Sequence, residues 1–197
     1  ITGQKKVSGK LLGVTALAVT NDNQRIISGG SDGQVRVWYA DSESHGLAAS
    51  MKEHKSTVNC IVVRNDDSEC VSSSDDGSCI VWNLDRYSRV NIMTSQTYFK
   101  QSRLLNDESQ ILTAGSDKRI IYWDSYDCTA IREIEASTGE IYALDISPDG
   151  ETFAVGGSDR KVNIYSYDEG ELLSTEEAHS ESVTKLKYSP DQRFLTT

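Results

Sequence analysis

Along most of the chain, apolar and polar residues alternate in short runs, and Asn, Asp, Gly and Ser break the runs. VTALAVT (14–20) and IYALDIS (141–147) place every second apolar side chain on one face, the pattern of a strand half-buried in a sheet. The stretch from Glu53 to Trp82 shows the arrangement most fully. A first run through Val58, Cys60 and Val62 leads to a polar turn over Asn65 to Ser68, then to a second run ending near Ser72. An Asp75-Asp76-Gly77 turn follows, and a third run closes it from Cys79 to Trp82. Runs of this length split by turn-forming residues predict a meander of antiparallel strands. Turns such as NDNQ (21–24) and SPDG (147–150) separate first and second strands elsewhere. No segment sustains a helical period, so the chain reads as all-β.

This stretch recurs at a fixed interval. The closing aromatic falls at Trp38, Trp82, Trp123 and Tyr165, spaced 44, 41 and 42 residues, and an apolar residue opens each unit 24 positions earlier, at Val14, Val58, Phe99 and Ile141. A fifth opening stands at Val183. An aspartate precedes each aromatic by six residues (Asp32, Asp76, Asp117, Asp159). Four positions before those aspartates come Ser28, Ser72, Thr113 and, as an exception, Val155. Second strands are predicted at RIISG, ECVSS, QILTA and TFAVG, and third strands at QVRVW, SCIVW, RIIYW and KVNIY. More polar fourth strands are predicted at 47–53, 88–94, 129–135 and 171–177. Four-stranded sheets repeating at this period predict a β-propeller. Residues 1–197 then form part of one propeller domain: an arc of about four complete four-stranded blades with two incomplete edge blades. A strand near 4–10 would belong to a preceding blade and 183–197 to a following one. Blades bury a face against each neighbour, so the open ends are expected to expose Val183, Leu186 and Tyr188 on one side and Val7, Leu11 and Leu12 on the other.

Composition narrows the function classes. The formal net charge of -10 disfavours binding to nucleic-acid phosphates or an anionic membrane surface, both of which repel an acidic protein. No apolar run approaches the length needed to span a bilayer, and no leader pattern opens the sequence. Cys60, Cys70, Cys79 and Cys128 lack metal-ligand spacing, and three of them sit in strand patterns as small apolar side chains, which fits a reducing compartment. Asp66-Asp67 and Asp75-Asp76 do not follow the spaced pattern of a cation loop. Neither cofactor nor metal is expected.

One constellation invites a catalytic reading. His54, Ser72 and Asp76 supply the groups of a serine hydrolase. Against it, no strained nucleophile elbow is present, and a carboxylate in a tight turn is stable when donors surround it, which makes the set a structural network.

The units resemble WD repeats. Glu53-His54 and Ala178-His179 stand where that family has Gly-His, and Trp82-Asn83 and Trp123-Asp124 where it has Trp-Asp. The resemblance covers nearly the whole chain with five units in register, and it implies a ring that usually has seven blades. It also implies a buried hydrogen-bond network within a blade, carried over here to His54, Ser72, Asp76 and Trp82. In the other blades the matching positions are Ser28, Asp32 and Trp38; Thr113, Asp117 and Trp123; and Asp159. There the histidine position holds Lys10, Ser95 and Ser137, and the fourth unit has Val155 and Tyr165 for Ser/Thr and Trp. The fifth offers His179 and Thr197. The runs MKEHKSTVNC, KRIIYWDSYDCTAIREIE and YDEGELL further resemble the second propeller of the cilia- and flagella-associated WD-repeat proteins of motile axonemes. That resemblance implies a non-catalytic scaffold in the cilium or flagellum, on the inner wall of doublet microtubules, with tubulin and neighbouring axonemal proteins as partners. A general cytoplasmic WD-repeat adaptor of a multiprotein complex is the alternative. Either way the partners expected are proteins, with no nucleic acid, membrane or small-molecule substrate. The basic pairs Lys118-Arg119 and Arg160-Lys161, on adjacent blades, are a candidate partner-contact rim, against the plainer reading of solvated loop charges.

Overall fold

The computed structural model describes residues 6–7, 10–11, 13–40, 46–177 and 179–197, with side chains from Gly13 onward. No helix occurs among them. The chain divides into two compact units, Ile1–Ser95 and Gln96–Thr197.

In the first unit, β1 (Lys6–Val7) pairs with β2 (Lys10–Leu11). The sequence predicts one strand over 4–10; the described backbone there is this short antiparallel pair, and residues 4, 5, 8 and 9 lie outside the described residues. Next come β3 (Val14–Val19), β4 (Arg25–Gly30), β5 (Val35–Tyr39) and β6 (Leu47–Met51), an antiparallel sheet in sequence order. A second such sheet holds β7 (Val58–Val63), β8 (Glu69–Ser74), β9 (Ser78–Asn83) and β10 (Ser88–Thr94).

The second unit repeats the plan. One sheet holds β11 (Phe99–Leu104), β12 (Gln110–Gly115), β13 (Arg119–Asp124) and β14 (Ala130–Glu135). Another holds β15 (Ile141–Ile146), β16 (Thr152–Gly157), β17 (Lys161–Ser166) and β18 (Leu172–Glu177). A two-stranded sheet of β19 (Lys187–Tyr188) and β20 (Leu195–Thr196) follows. Trp38, Trp82, Trp123 and Tyr165 each lie on the third strand of their sheet, as the common spacing requires. These are WD-repeat propeller blades of an all-β fold.

Each opening strand carries a bulge that the alternation does not reveal. Register slips between Val14 and Ala16, Val58 and Cys60, Phe99 and Gln101, and Ile141 and Ala143. The extra residue bends the strand and strengthens its twist. The segment that opens a later sheet packs against the second strand of the earlier one, and at two of these approaches glycine makes room. A Cβ on Gly29 would come within 2.5 Å of Val58 Cγ1, and one on Gly156 within 2.6 Å of Val183 Cγ1.

That packing corrects one expectation. Val183 and Leu186 are buried, at 2% and 4% exposure, against Ala143, Ala154 and Val162. The apolar side of an opening strand turns back onto the preceding sheet, so a half-formed final blade hides those residues. The equivalent positions of the first sheet, Val14, Leu17 and Val19, are the exposed ones, at 54%, 66% and 52%. The side chains of Val7, Leu11 and Leu12 lie outside the described residues.

Candidate functional site

The second sheet carries the full polar set. His54 sits in the loop before β7, Ser72 on β8, Asp76 in the β8–β9 turn and Trp82 on β9. Trp82 Nε1 donates to Ser72 Oγ at 2.7 Å, and Ser72 Oγ lies 2.7 Å from His54 Nε2. The Asp76 carboxylate can only accept, which places the proton of the neutral imidazole on Nδ1 and leaves Nε2 to accept from the Ser72 hydroxyl. His54 Nδ1 donates to Asp76 Oδ2 at 3.0 Å. Asp76 also accepts from the Lys55 backbone N–H at 2.7 Å, from Ser78 N–H at 2.9 Å and from Ser78 Oγ at 2.6 Å. Sequence reading missed Ser78, whose hydroxyl two residues beyond an Asx turn is the available signal.

Electrostatics agree with this proton placement. Burial pushes the His54 pKa below its ordinary 6.5, and the neighbouring Asp76 only partly offsets that, so the ring is neutral. For Asp76, burial raises the pKa, but hydrogen bonds from Ser78 and Lys55 and the proximity of His54 outweigh it, and the net shift is downward. Ser72 has no exposed surface and Trp82 only 1%, so no substrate reaches the serine oxygen. These bonds link the loop before β7 and the β8–β9 turn to β8 and β9, around a serine with no exposed surface.

The other sheets keep parts of it. Trp38 Nε1 donates to Ser28 Oγ, and Trp123 Nε1 to Thr113 Oγ1, both at 2.8 Å. Asp32 takes Arg36 in place of a histidine, through Nη2 at 2.5 Å and Nη1 at 3.3 Å; the arginine four residues on was not singled out from the sequence. The Lys10 side chain lies outside the described residues. Asp117 Oδ1 accepts from Arg119 N–H at 3.4 Å, and its own N–H donates to Thr97 Oγ1 at 3.2 Å. Asp159 accepts from Ser137 Oγ at 2.8 Å, from Thr138 N–H at 3.3 Å and from Lys161 N–H at 3.2 Å. Tyr165 stacks on Phe153, ring centroids 5.3 Å apart, and has no such bond among the described residues. His179 Nε2 meets Thr197 Oγ1.

The basic rim divides. Arg119 pairs with Glu133 at 3.0 Å and Glu135 at 3.9 Å, and Lys161 with Glu177 at 4.0 Å, all across neighbouring strands. Lys118 and Arg160 are exposed. The four cysteines are buried, and burial pushes the Cys70 thiol up to about 12. Among the described residues, no three His, Cys, Asp or Glu side chains converge as a metal site requires.

Comparison with known proteins follows the same lines. The model of the WD domain, G-beta repeat, matches residues 4–39 and 46–83, and that of the anaphase-promoting complex subunit 4 WD40 domain matches residues 104–191. Cilia- and flagella-associated protein 52 of Homo sapiens is 41% identical over 187 residues, 94% of this chain and 30% of the relative. Its Macaca fascicularis counterpart is 40% identical over 191 residues, 96% of this chain and 34% of the relative. The Chlamydomonas reinhardtii protein of that name is 45% identical over 163 residues, 82% and 26%. The chain thus spans about a third of the length of the curated relatives it matches. With blades, polar-set residues and repeat models in one register, the chain belongs to the WD-repeat β-propeller family.

Proposed function

We propose that this chain is part of a non-catalytic ciliary or flagellar scaffold that holds other proteins in place. The observation that carries this is the identity of 40–45% to cilia- and flagella-associated protein 52 from a green alga and two primates, over most of this chain. The buried polar set supports it: the groups that suggest hydrolysis are spent on rigidity, which suits a protein that presents loops on a stiff frame. In its finer form, the scaffold sits on the inner wall of axonemal doublet microtubules and contacts tubulin and neighbouring axonemal proteins, with the exposed turn residues as contact points.

A second reading is a cytoplasmic adaptor subunit, favoured by the match of residues 104–191 to the anaphase-promoting complex subunit 4 WD40 domain. One experiment separates them. The tagged protein that carries this chain, expressed in cells with motile cilia, should line the axoneme and resist salt extraction. A diffuse, readily extracted protein overturns the ciliary reading in favour of the adaptor.

A further inference from the structure

The turns that join second to third strands all place their third residue in the left-handed region. In the first unit that residue is glycine, Gly33 at φ 73° and Gly77 at φ 83°. In the second unit it is Lys118 at φ 67° and Arg160 at φ 66°. Glycine adopts this backbone without strain, whereas a side chain with a Cβ does so at a cost. Two adjacent blades thus hold long cations in a conformation their neighbours assign to glycine. Among the described residues no carboxylate pairs with either, while the next residues along, Arg119 and Lys161, are matched to Glu133, Glu135 and Glu177. The geometry therefore separates one cation that serves the sheet from one presented to solvent, twice over.

The surroundings extend this surface. Tyr98 is 60% exposed, and its backbone N–H donates to Ser116 Oγ at 2.9 Å, which holds its main chain beside the Lys118 turn. Lys100 Nζ lies 5.8 Å from the centre of that ring. On the next blade the Ser158 N–H donates to the Glu140 carbonyl at 2.9 Å, which sets Glu140 beside the Arg160 turn, and the Tyr142 hydroxyl engages its carboxylate at 3.1 Å. The turn aspartate Asp159 is occupied by Ser137, Thr138 and Lys161. We infer that the rim bearing Lys118, Arg160 and Tyr98 docks an extended, carboxylate-rich protein segment. The cations meet its acidic side chains and the tyrosine supplies an aromatic anchor. A continuous polyphosphate is the poorer match, because two local cations and one ring suit a short segment better than a long run of phosphates.

This deepens the scaffold reading by naming the chemistry of a partner, and it rests on that reading. The test is fluorescence anisotropy on the 197-residue chain, titrated against a fluorescein-labelled Glu/Asp-rich peptide, its Gln/Asn counterpart and a labelled DNA duplex. The expected result is binding of the acidic peptide that weakens with salt, with little binding of the other two. Lys118→Gly combined with Arg160→Gly should weaken it about ten-fold, from two exposed ion pairs. Because glycine relieves the left-handed strain, the melting temperature should stay level or rise, so the loss cannot be laid to unfolding. If that variant melts lower, Lys118→Asn with Arg160→Asn, which also tolerates this backbone, must give the same loss. Unchanged affinity in the variants, no binding by the parent chain, equal binding of the neutral peptide, or tighter binding of DNA overturns the inference. The assay needs no ciliary context, so its failure leaves the localisation result standing, and the reverse also holds.

Discussion

The second and fourth blades solve one problem with different chemistry. Each must fasten the turn before its third strand to the strands behind it. The second blade uses a directed chain of protons, from Trp82 through Ser72 to His54 and on to Asp76. The fourth keeps only the aspartate, with Ser137 in the histidine's place, and replaces the rest with an apolar cluster. Val155 and Phe153 are fully buried, Tyr165 stacks on Phe153, and Tyr122 meets Tyr167 edge-on at 5.3 Å. Arg132 lies over Tyr122 at 4.1 Å and donates to the Tyr167 carbonyl at 2.7 Å. The turn aspartate persists because backbone N–H groups two residues on satisfy it locally. The histidine is dispensable there because the serine and indole it would complete are replaced by Val155 and Tyr165, although the buried Asn163 across from Val155 keeps its Oδ1 without a hydrogen bond among the described residues.

The largest effects should come from the aromatic at the centre of each solution. Trp82→Ala and Phe153→Ala each remove a fully buried ring and should destabilise by about 3–5 kcal/mol in urea unfolding. If either costs under about 1 kcal/mol, that blade is not held by its aromatic core. Asp76→Ala comes next. It leaves the Ser78 and Lys55 N–H donors without their acceptor, with His54 Nδ1 still 3.0 Å from Ser78 Oγ, and should cost about 2–3 kcal/mol, while Asp159→Ala, with fewer buried donors, should cost about 1 kcal/mol. Equal losses would show that the histidine adds nothing to its aspartate.

Much of this was readable from spacing. A period of 41 to 44 residues, with an aspartate six before each aromatic, fixes which strand carries which group, because a four-stranded blade allows one register for those positions. What was hidden depends on contacts between units. Val183 and Leu186 look like surface exposed by a broken ring, yet they pack on Gly156, Ala143 and Ala154, because the alternation shows that a strand has an apolar side and not which neighbour covers it. The Arg36–Asp32 pair and the Tyr122–Tyr167–Arg132 cluster were equally silent. Each is built from side chains that do not recur at the repeat's period, so periodicity cannot flag it. The bulges after Val14, Val58, Phe99 and Ile141 leave the apolar pattern intact and so leave no trace in it.

Acid should separate the two blades further. His54 in the folded chain holds its proton less tightly than the ordinary 6.5, so the unfolded chain binds that proton first. The associated stability is complete above about pH 6.5 and declines as pH falls from there towards the folded value. Asp76 and Asp159 both have folded values below 3.8, so each contributes stability above that pH that is lost as pH falls through the folded value. Weakening near pH 6 is therefore expected where Trp82 reports, and acid loss alone around Tyr165. Trp fluorescence melts across pH would show it, and His54→Gln should abolish the upper window. If wild type and variant decline in parallel between about pH 7 and 5, the histidine is not the responsive group.

The smallest effect tests whether one solution can be rebuilt inside the other. Ser28 with Trp38 and Thr113 with Trp123 keep the hydroxyl–indole bond at 2.8 Å without any histidine, so that pair is a unit in its own right. Val155 and Tyr165 occupy the matching positions on β16 and β17, where they face Asn163 and Phe153 across the strand pair. Val155→Ser alone buries a hydroxyl with no indole to meet it and should cost about 1–2 kcal/mol. Tyr165→Trp alone should cost less, because a larger ring can still stack on Phe153 while its N–H goes unmet. Together they should recover about 1 kcal/mol relative to the sum, the worth of one buried hydrogen bond. Strict additivity in this double-mutant cycle would mean that the fourth blade's aromatic packing has moved the two positions out of register, and that its solution cannot be converted residue by residue into the second blade's.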